Sequence, residues 1–201
     1  MFERIRISIA RATEIRNLER QVAASPCVKA CDIHQLSHDR AVWRIPVPGQ
    51  DDRYMSASAS EIATEMFVVH VDGDAFYLAW LRSGDQCILR SQMPRDYKYA
   101  YAVDGFAQGR SNPVPLADVG AWNDERGRTH IGFTNGITRS FWLISNSAPA
   151  FPVQVHGRES AELLHRTVGT GNTEGPICYA DLFALVGPRN APTSRCHTPK
   201  L

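Results

Sequence analysis

Residues 129–144 hold the side chains best placed to do chemistry. Thr129-His-Ile-Gly-Phe-Thr134 has strand character, Asn135-Gly136 breaks it, and Ile137 to Ile144 carries apolar residues Ile137, Phe141 and Ile144 at helical spacing. A strand that stops at Asn-Gly and enters a helix leaves backbone N–H groups free at the positive end of the helix dipole, and such an end binds phosphate. Gly136 admits close backbone approach, Thr138 offers a hydroxyl, and Arg139 offers a guanidinium that can reach the same anion. The same five residues also read as a plain helix start whose arginine pairs with an acidic neighbour.

Two other clusters invite chemistry. Tyr97, Tyr99 and Tyr101 alternate with Arg95 and Lys98 interleaved. On a strand these tyrosines share one face, where they either stack on nucleic-acid bases beside the cations or pack on a rim. Cys27, Cys31, His34 and His38 suggest zinc. Ser25-Pro26, however, is a helix N-cap and first-turn pair, and a helix would spread the four along one face over about 16 Å. One ion needs its ligands within about 2.0–2.3 Å, so the helical face is preferred to a metal site.

These groups need elements to hold them. Residues 2–22 form an amphipathic helix with Ile5, Ile9, Ala12, Ile15, Leu18 and Val22 at steps of three or four, and with more arginine than glutamate. Such a helix either lies on its own domain or docks on a membrane surface or an acidic partner. Ala41–Val47 reads as a strand ending at a Pro48-Gly49 turn. Met66–Val71 and Ala75–Leu81, around Asp72-Gly73-Asp74, read as a β-hairpin with His70 in its core. Phe151–Val155 is a further strand, Arg158–Val168 a helix with Ala161, Leu164 and Val168 on one face, and Ile177–Val186 one more short helix. The organisation expected is an N-terminal helical segment (1–40), a central domain (41–186) and a mobile tail (187–201).

Composition bounds the function. The 201 residues carry 22 Lys+Arg against 21 Asp+Glu, a net charge of +1, which excludes coating of nucleic acid by bulk charge. No apolar run approaches the roughly 18–20 residues of a membrane span. Five cysteines, an odd number, and charges that interrupt any apolar N-terminal run point to free thiols in a bacterial cytoplasm, with peripheral inner-membrane contact through residues 2–22 as an option.

The order strand, N-G-I-T-R, helix, then Phe151-Pro-Val-Gln-Val155 resembles the G-x-x-R core of the ParB/sulfiredoxin superfamily, and the polar, proline-containing segment 105–118 fits the stretch that precedes its phosphate motif. More specifically, N-P-V-P-L-A (112–117), G-F-T-N-G-I-T-R (132–139), W-L (142–143) and the F-P-V of 151–153 resemble the plasmid fertility inhibition factors, over roughly residues 66–168. The resemblance implies an α/β (α+β) fold with a small mixed sheet and flanking helices. It implies a protein that blocks conjugative DNA transfer through a type IV secretion system, with ATPase and DNase activity, ATP and Mg²⁺ as cofactors, and the transferred DNA strand and the secretion coupling protein as partners.

Carried over residue by residue, Gly136 and Arg139 match the motif's glycine and arginine, and with Asn135, Ile137, Thr138 and, from the matched upstream segment, Asn112 they make the expected nucleotide and phosphate site. Asp104, Asp118, Asp124 and Glu125 are the carboxylates nearest the motif in sequence, and of these Asp104 and Glu125, with Arg139, are the expected catalytic residues. Arg110, from the same upstream segment, and Arg95 and Lys98, from the tyrosine run, are the expected DNA contacts, and metal ligands stay unassigned. N-G-I-T-R holds no cysteine, so sulfiredoxin chemistry is excluded. Asn135 and Thr138 stand where related motifs have acid–base residues, so the base must come from elsewhere. The rival reading is a non-catalytic protein that docks on the secretion apparatus or its coupling ATPase.

Overall fold

The structure is a computed structural model that describes residues 2–25, 27–61, 65–83 and 86–186, with backbone alone for 2–5 and 61. The tail expected at 187–201 lies outside the described residues. Helix α1 (Phe2–Ala24) leads into strands β1 (Ile33–Leu36), β2 (Arg40–Ile45) and β3 (Arg53–Ser58). There follow β4 (Met66–Asp72), α2 (Gly73–Ser83), α3 (Tyr99–Ala107), β5 (Val114–Pro115), β6 (Ala117–Asn123) and β7 (Thr129–Asn135). The order closes with α4 (Ile137–Ser145), β8 (Ala150–His156), α5 (Arg158–Val168), β9 (Ile177–Cys178) and α6 (Tyr179–Ala184).

Two mixed sheets result. One has the order β1-β2-β3-β5 and the other β7-β6-β8-β4-β9. In the first, β3 and β5 are parallel and the other pairs antiparallel. In the second, β6 and β8 are parallel and the rest antiparallel. Strands β5 and β6 are nearly continuous, so one stretch of chain leaves the first sheet and enters the second at Leu116, whose N–H donates to Ser56 O. The α/β class with flanking helices is therefore as expected, although one small sheet becomes two.

The expected hairpin at 66–81 is wrong. Strand β4 is followed by helix α2, because Asp72 acts as a cap: its Oδ1 accepts the N–H groups of Asp74 and Ala75 at 3.0 and 2.9 Å. Gly73 belongs to the helix start, and a Cβ there would run into the carbonyl of Ala148. Phe76, Tyr77, Trp80 and Leu81 are all buried at helical spacing. His70 is a core histidine as read, buried in β4, and its Nδ1 accepts the Cys31 N–H at 3.1 Å.

The helix expected from Ser25-Pro26 is also absent. Residues 27–32 are irregular, with the Ala30 N–H on Asn172 Oδ1 and the Asp32 carbonyl accepting from the Arg44 N–H, before β1 begins. Backbone groups spent on distant partners cannot close helical turns. Cys27, Cys31, His34 and His38 share no helix face, and among the described residues no group of three His, Cys, Asp or Glu could hold a metal ion.

Helix α1 has the expected extent and rests on α2. Arg11 donates to the Leu81 carbonyl, Glu14 accepts from the Tyr77 hydroxyl at 2.6 Å, and Arg82 pairs with Glu19. Its apolar stripe is buried only at one end: Leu18 is in the core, whereas Ile9 is 61% exposed. Among the described residues no helix is long and apolar enough to cross a membrane.

Candidate functional site: the β7–α4 turn and its cleft

The strand–turn–helix is where the sequence placed it. β7 ends at Asn135, α4 starts at Ile137, and Gly136 between them has φ +87°, a left-handed conformation that glycine alone takes without strain. Close approach adds a second reason for glycine, since a Cβ at 136 would lie 2.8 Å from both Cα and Cβ of Ala117. The first helical bond runs from the Ser140 N–H to the Gly136 carbonyl at 3.1 Å, and no side chain caps the helix. The N–H groups of Ile137, Thr138 and Arg139 precede that bond, so none has an acceptor inside the helix.

These residues form one wall of a cleft of about 620 Å³. The lining also includes Lys98, Tyr101 and Gly105 at α3 and the segment Asn112 to Pro115. The volume falls within the roughly 300–1,000 Å³ of small-ligand sites. Among the described residues the lining contains no Asp or Glu, and it contains Lys98 and Arg139. A positive, uncapped helix start in a carboxylate-free cleft is suited to an anion.

Arg139 is anchored to the backbone beside the turn. Its Nη1 donates to the carbonyls of Pro115 and Leu116, at 2.6 and 2.9 Å, and its Nη2 to Asn135 Oδ1 at 3.3 Å. The guanidinium thus clamps helix α4 onto the point where the chain passes from one sheet to the other. Burial pulls its pKa below the usual range, and Asp118 works against that pull. Arg139 brings positive charge to the cleft, but it brings it already bonded to backbone.

The structure brings together Asn112, Asn135, Gly136, Ile137, Thr138 and Arg139, with Lys98, in one cleft lining. It does not bring in the others. Asp104 is exposed on α3 and Glu125 on the β6–β7 turn, and Arg95 and Arg110 stand outside the lining. The tyrosines are not on a strand: Arg95 ends a 3-10 turn and α3 starts at Tyr99. Tyr97 and Tyr101 are exposed, while the Tyr99 hydroxyl bonds inward with Ser145 Oγ at 2.7 Å.

The carboxylate next to the motif is Asp118. It pairs in register with Asn135, and burial raises its pKa against the opposing charges of His156 and Arg139. Asp124 is held well below the carboxylate range, chiefly by backbone N–H donation from Arg128, with His130 and the Arg128 side chain adding to it. Sequence spacing alone could not choose among these acids, because the choice depends on the register of β6 against β7.

Fold and site together define a class: an α/β protein of two mixed sheets whose G-x-x-R turn starts a helix at an anion-suited cleft. The model of the family described as Plasmid Fertility inhibition factor matches residues 68–169, and the chain belongs to that family. It is 39% identical over 163 residues to "Protein osa" of Shigella flexneri, covering 78% of this chain and 84% of that one. It also matches the crystal structure of "Oncogenic Suppression Activity Protein - A Plasmid Fertility Inhibition Factor", solved as a gold(I) cyanide derivative. That match has a TM-score of 0.79 and 35% identity, over 90% of this chain and 96% of the other.

Proposed function

We propose that this fertility inhibition factor blocks conjugative DNA transfer by binding and hydrolysing ATP at the β7–α4 turn and cleaving the DNA in transit through a type IV secretion system. The observation that carries the reading is the uncapped start of α4 behind Gly136, facing a cleft free of carboxylates among the described residues. The N–H groups of residues 137–139 and the Thr138 hydroxyl would hold phosphate oxygens, and Lys98 in the same lining would add charge. ATP supplies a phosphoanhydride for hydrolysis. Mg²⁺ would ride on the phosphates with its remaining ligands from water, since no described lining residue is a carboxylate. Asp118 replaces Asp104 and Glu125 as the acid nearest the turn. Arg139 keeps the turn in place through the Pro115 and Leu116 carbonyls.

The test is phosphate release from ATP, DNA cleavage and transfer inhibition, each measured for the wild type, Arg139→Ala and Arg139→Lys. Loss of all three activities in a folded Arg139→Ala variant supports the reading. Full transfer inhibition by that variant, without hydrolysis, refutes it.

One observation favours a second reading, a protein that works by docking on the secretion apparatus or its coupling ATPase. The first turns of α1 leave Ile7 and Ile9 exposed beside Arg6. Removal of residues 1–9 spares the buried Leu18, and on this reading it abolishes inhibition while leaving hydrolysis intact.

A further inference from the structure

We infer that the open face of the β6–β7 ladder is a track for single-stranded nucleic acid, with Trp122 as a stacking platform for a base and the Gly120–Gly132 pair as a bare floor. The inference rests on the DNA-directed reading above and adds the form of DNA that the site takes.

Trp122 stands apart from the other tryptophans. Trp43, Trp80 and Trp142 are buried, whereas Trp122 is 52% exposed. It is also held in place. Its ring stacks on the His130 ring, with centroids 5.8 Å apart and planes 15° apart. Its edge covers Gly132, where a Cβ would come within 2.9 Å of the indole. A fixed, half-open indole loses little freedom when a second flat ring lands on it.

The floor beside it is empty by sequence. Gly120 pairs with Gly132 across the ladder, and nothing lies within 4 Å of where its Cβ would be. The trough over this strip, about 440 Å³, shares Gln86, Phe133 and Thr134 with the cleft at the β7–α4 turn. The platform and the anion-suited turn are thus two ends of one groove. From His130 to Asn135 the strand runs about 17 Å at 3.4 Å per residue.

Charge complementarity selects the occupant. Among the described residues neither lining holds an Asp or Glu, while together they hold Lys98, His130 and Arg139. The acids nearby are engaged or set aside. Asp124 pairs with Arg128 and His130, and Asp118 sits half-buried next to the turn. A groove with Lys98 and Arg139 at one end and an aromatic face at the other suits a phosphate chain with exposed bases. A duplex keeps its bases stacked on one another and presents none to Trp122.

The test uses the full chain and fluorescence. Trp122 is the exposed tryptophan of four, so a base stacked on it quenches the accessible part of the emission. Titration with a twelve-residue oligothymidylate is expected to quench that emission and to bind more tightly than a duplex of the same length. Trp122→Ala lacks the quenched fluorophore, so its binding is followed by the anisotropy of a dye-labelled oligothymidylate, and it is expected to be weaker than the wild type by about 5- to 150-fold, the range for one lost stacking contact. Trp122→Phe is expected to stay near the wild type. A Cβ at Gly120 would meet nothing within 4 Å, so Gly120→Val, which raises the floor, is expected to weaken binding at an unchanged melting temperature. This second variant keeps the test valid if Trp122→Ala fails to fold.

Binding of single strand and duplex that is equal in the wild type and unchanged in folded Trp122→Ala and Gly120→Val overturns the track and leaves the DNA-directed reading standing. Absence of any DNA binding or cleavage by the wild type overturns both. Quenching by an acidic peptide but not by oligonucleotide assigns the face to a protein partner and also overturns the proposal.

Discussion

Gly136→Ala tests the geometry on which the site depends, and its cost can be worked from the structure. At φ +87° an alanine pays about 1–2 kcal/mol for the left-handed conformation. Its Cβ would also sit 2.8 Å from the Cα and Cβ of Ala117 and from the Nε of Arg139, an overpacking that costs about 1–3 kcal/mol. The total is about 2–5 kcal/mol, which for a chain of this size lowers the melting temperature by roughly 4–20 °C. Gly127→Ala is the control. Gly127 has φ +72° with nothing near its would-be Cβ, so it carries the conformational cost alone, about 2–8 °C. Thermal melts of both variants by circular dichroism isolate the close approach between turn and strand. Equal melting temperatures would refute the packing of Gly136 against Ala117, and with it the fixed position of the α4 start.

Further outcomes follow from buried titratable groups. Burial pushes His70 down to about 4 from an ordinary 6.5, so the unfolded chain takes up this proton before the folded one as pH falls. The stability it represents is complete above about pH 6.5 and is lost between there and about pH 4, a loss on the order of 3 kcal/mol. Melting temperature against pH should therefore decline through that window, and the decline should be shallower in His70→Gln. Burial likewise pushes the Cys31 thiol up to about 12 and that of Cys87 higher still, whereas Cys27 is exposed. Titration of the native protein with a thiol-specific disulfide reagent at pH 8 should modify Cys27 rapidly, and Cys31 and Cys87 only as the chain unfolds.

The strand–turn–helix was legible because three local signals agree there: alternation in β7, a glycine at the break, and helical spacing after it. Helices α1 and α5 and strand β8 were legible for the same reason. The hairpin reading failed at Asp72-Gly73 because the same dipeptide can turn a chain or cap a helix. What decided was the buried spacing of Phe76, Tyr77, Trp80 and Leu81, together with the carbonyl of Ala148 lying against Gly73. The tyrosine run failed in a similar way, since alternation over five residues does not outweigh a helix packed on α4. Arg139 was legible as a residue of the site but its backbone anchors were not. Its partners, the carbonyls of Pro115 and Leu116, lie 24 and 23 residues away at a crossing between sheets that no local pattern announces. Asp118 was one of four candidate acids until the β6–β7 register set it beside Asn135, and Trp122 was hidden for want of the same register, which stacks it on His130.

The central claim is that the phosphates of ATP bind at the start of α4. At 22.4 kDa the chain suits amide-resolved magnetic resonance, and titration with ATP and Mg²⁺ tests the claim directly. Saturable shifts of the Ile137, Thr138 and Arg139 amides are expected, with smaller changes at Lys98 and Asn112. Shifts confined to other regions, or none at millimolar ATP, would contradict it.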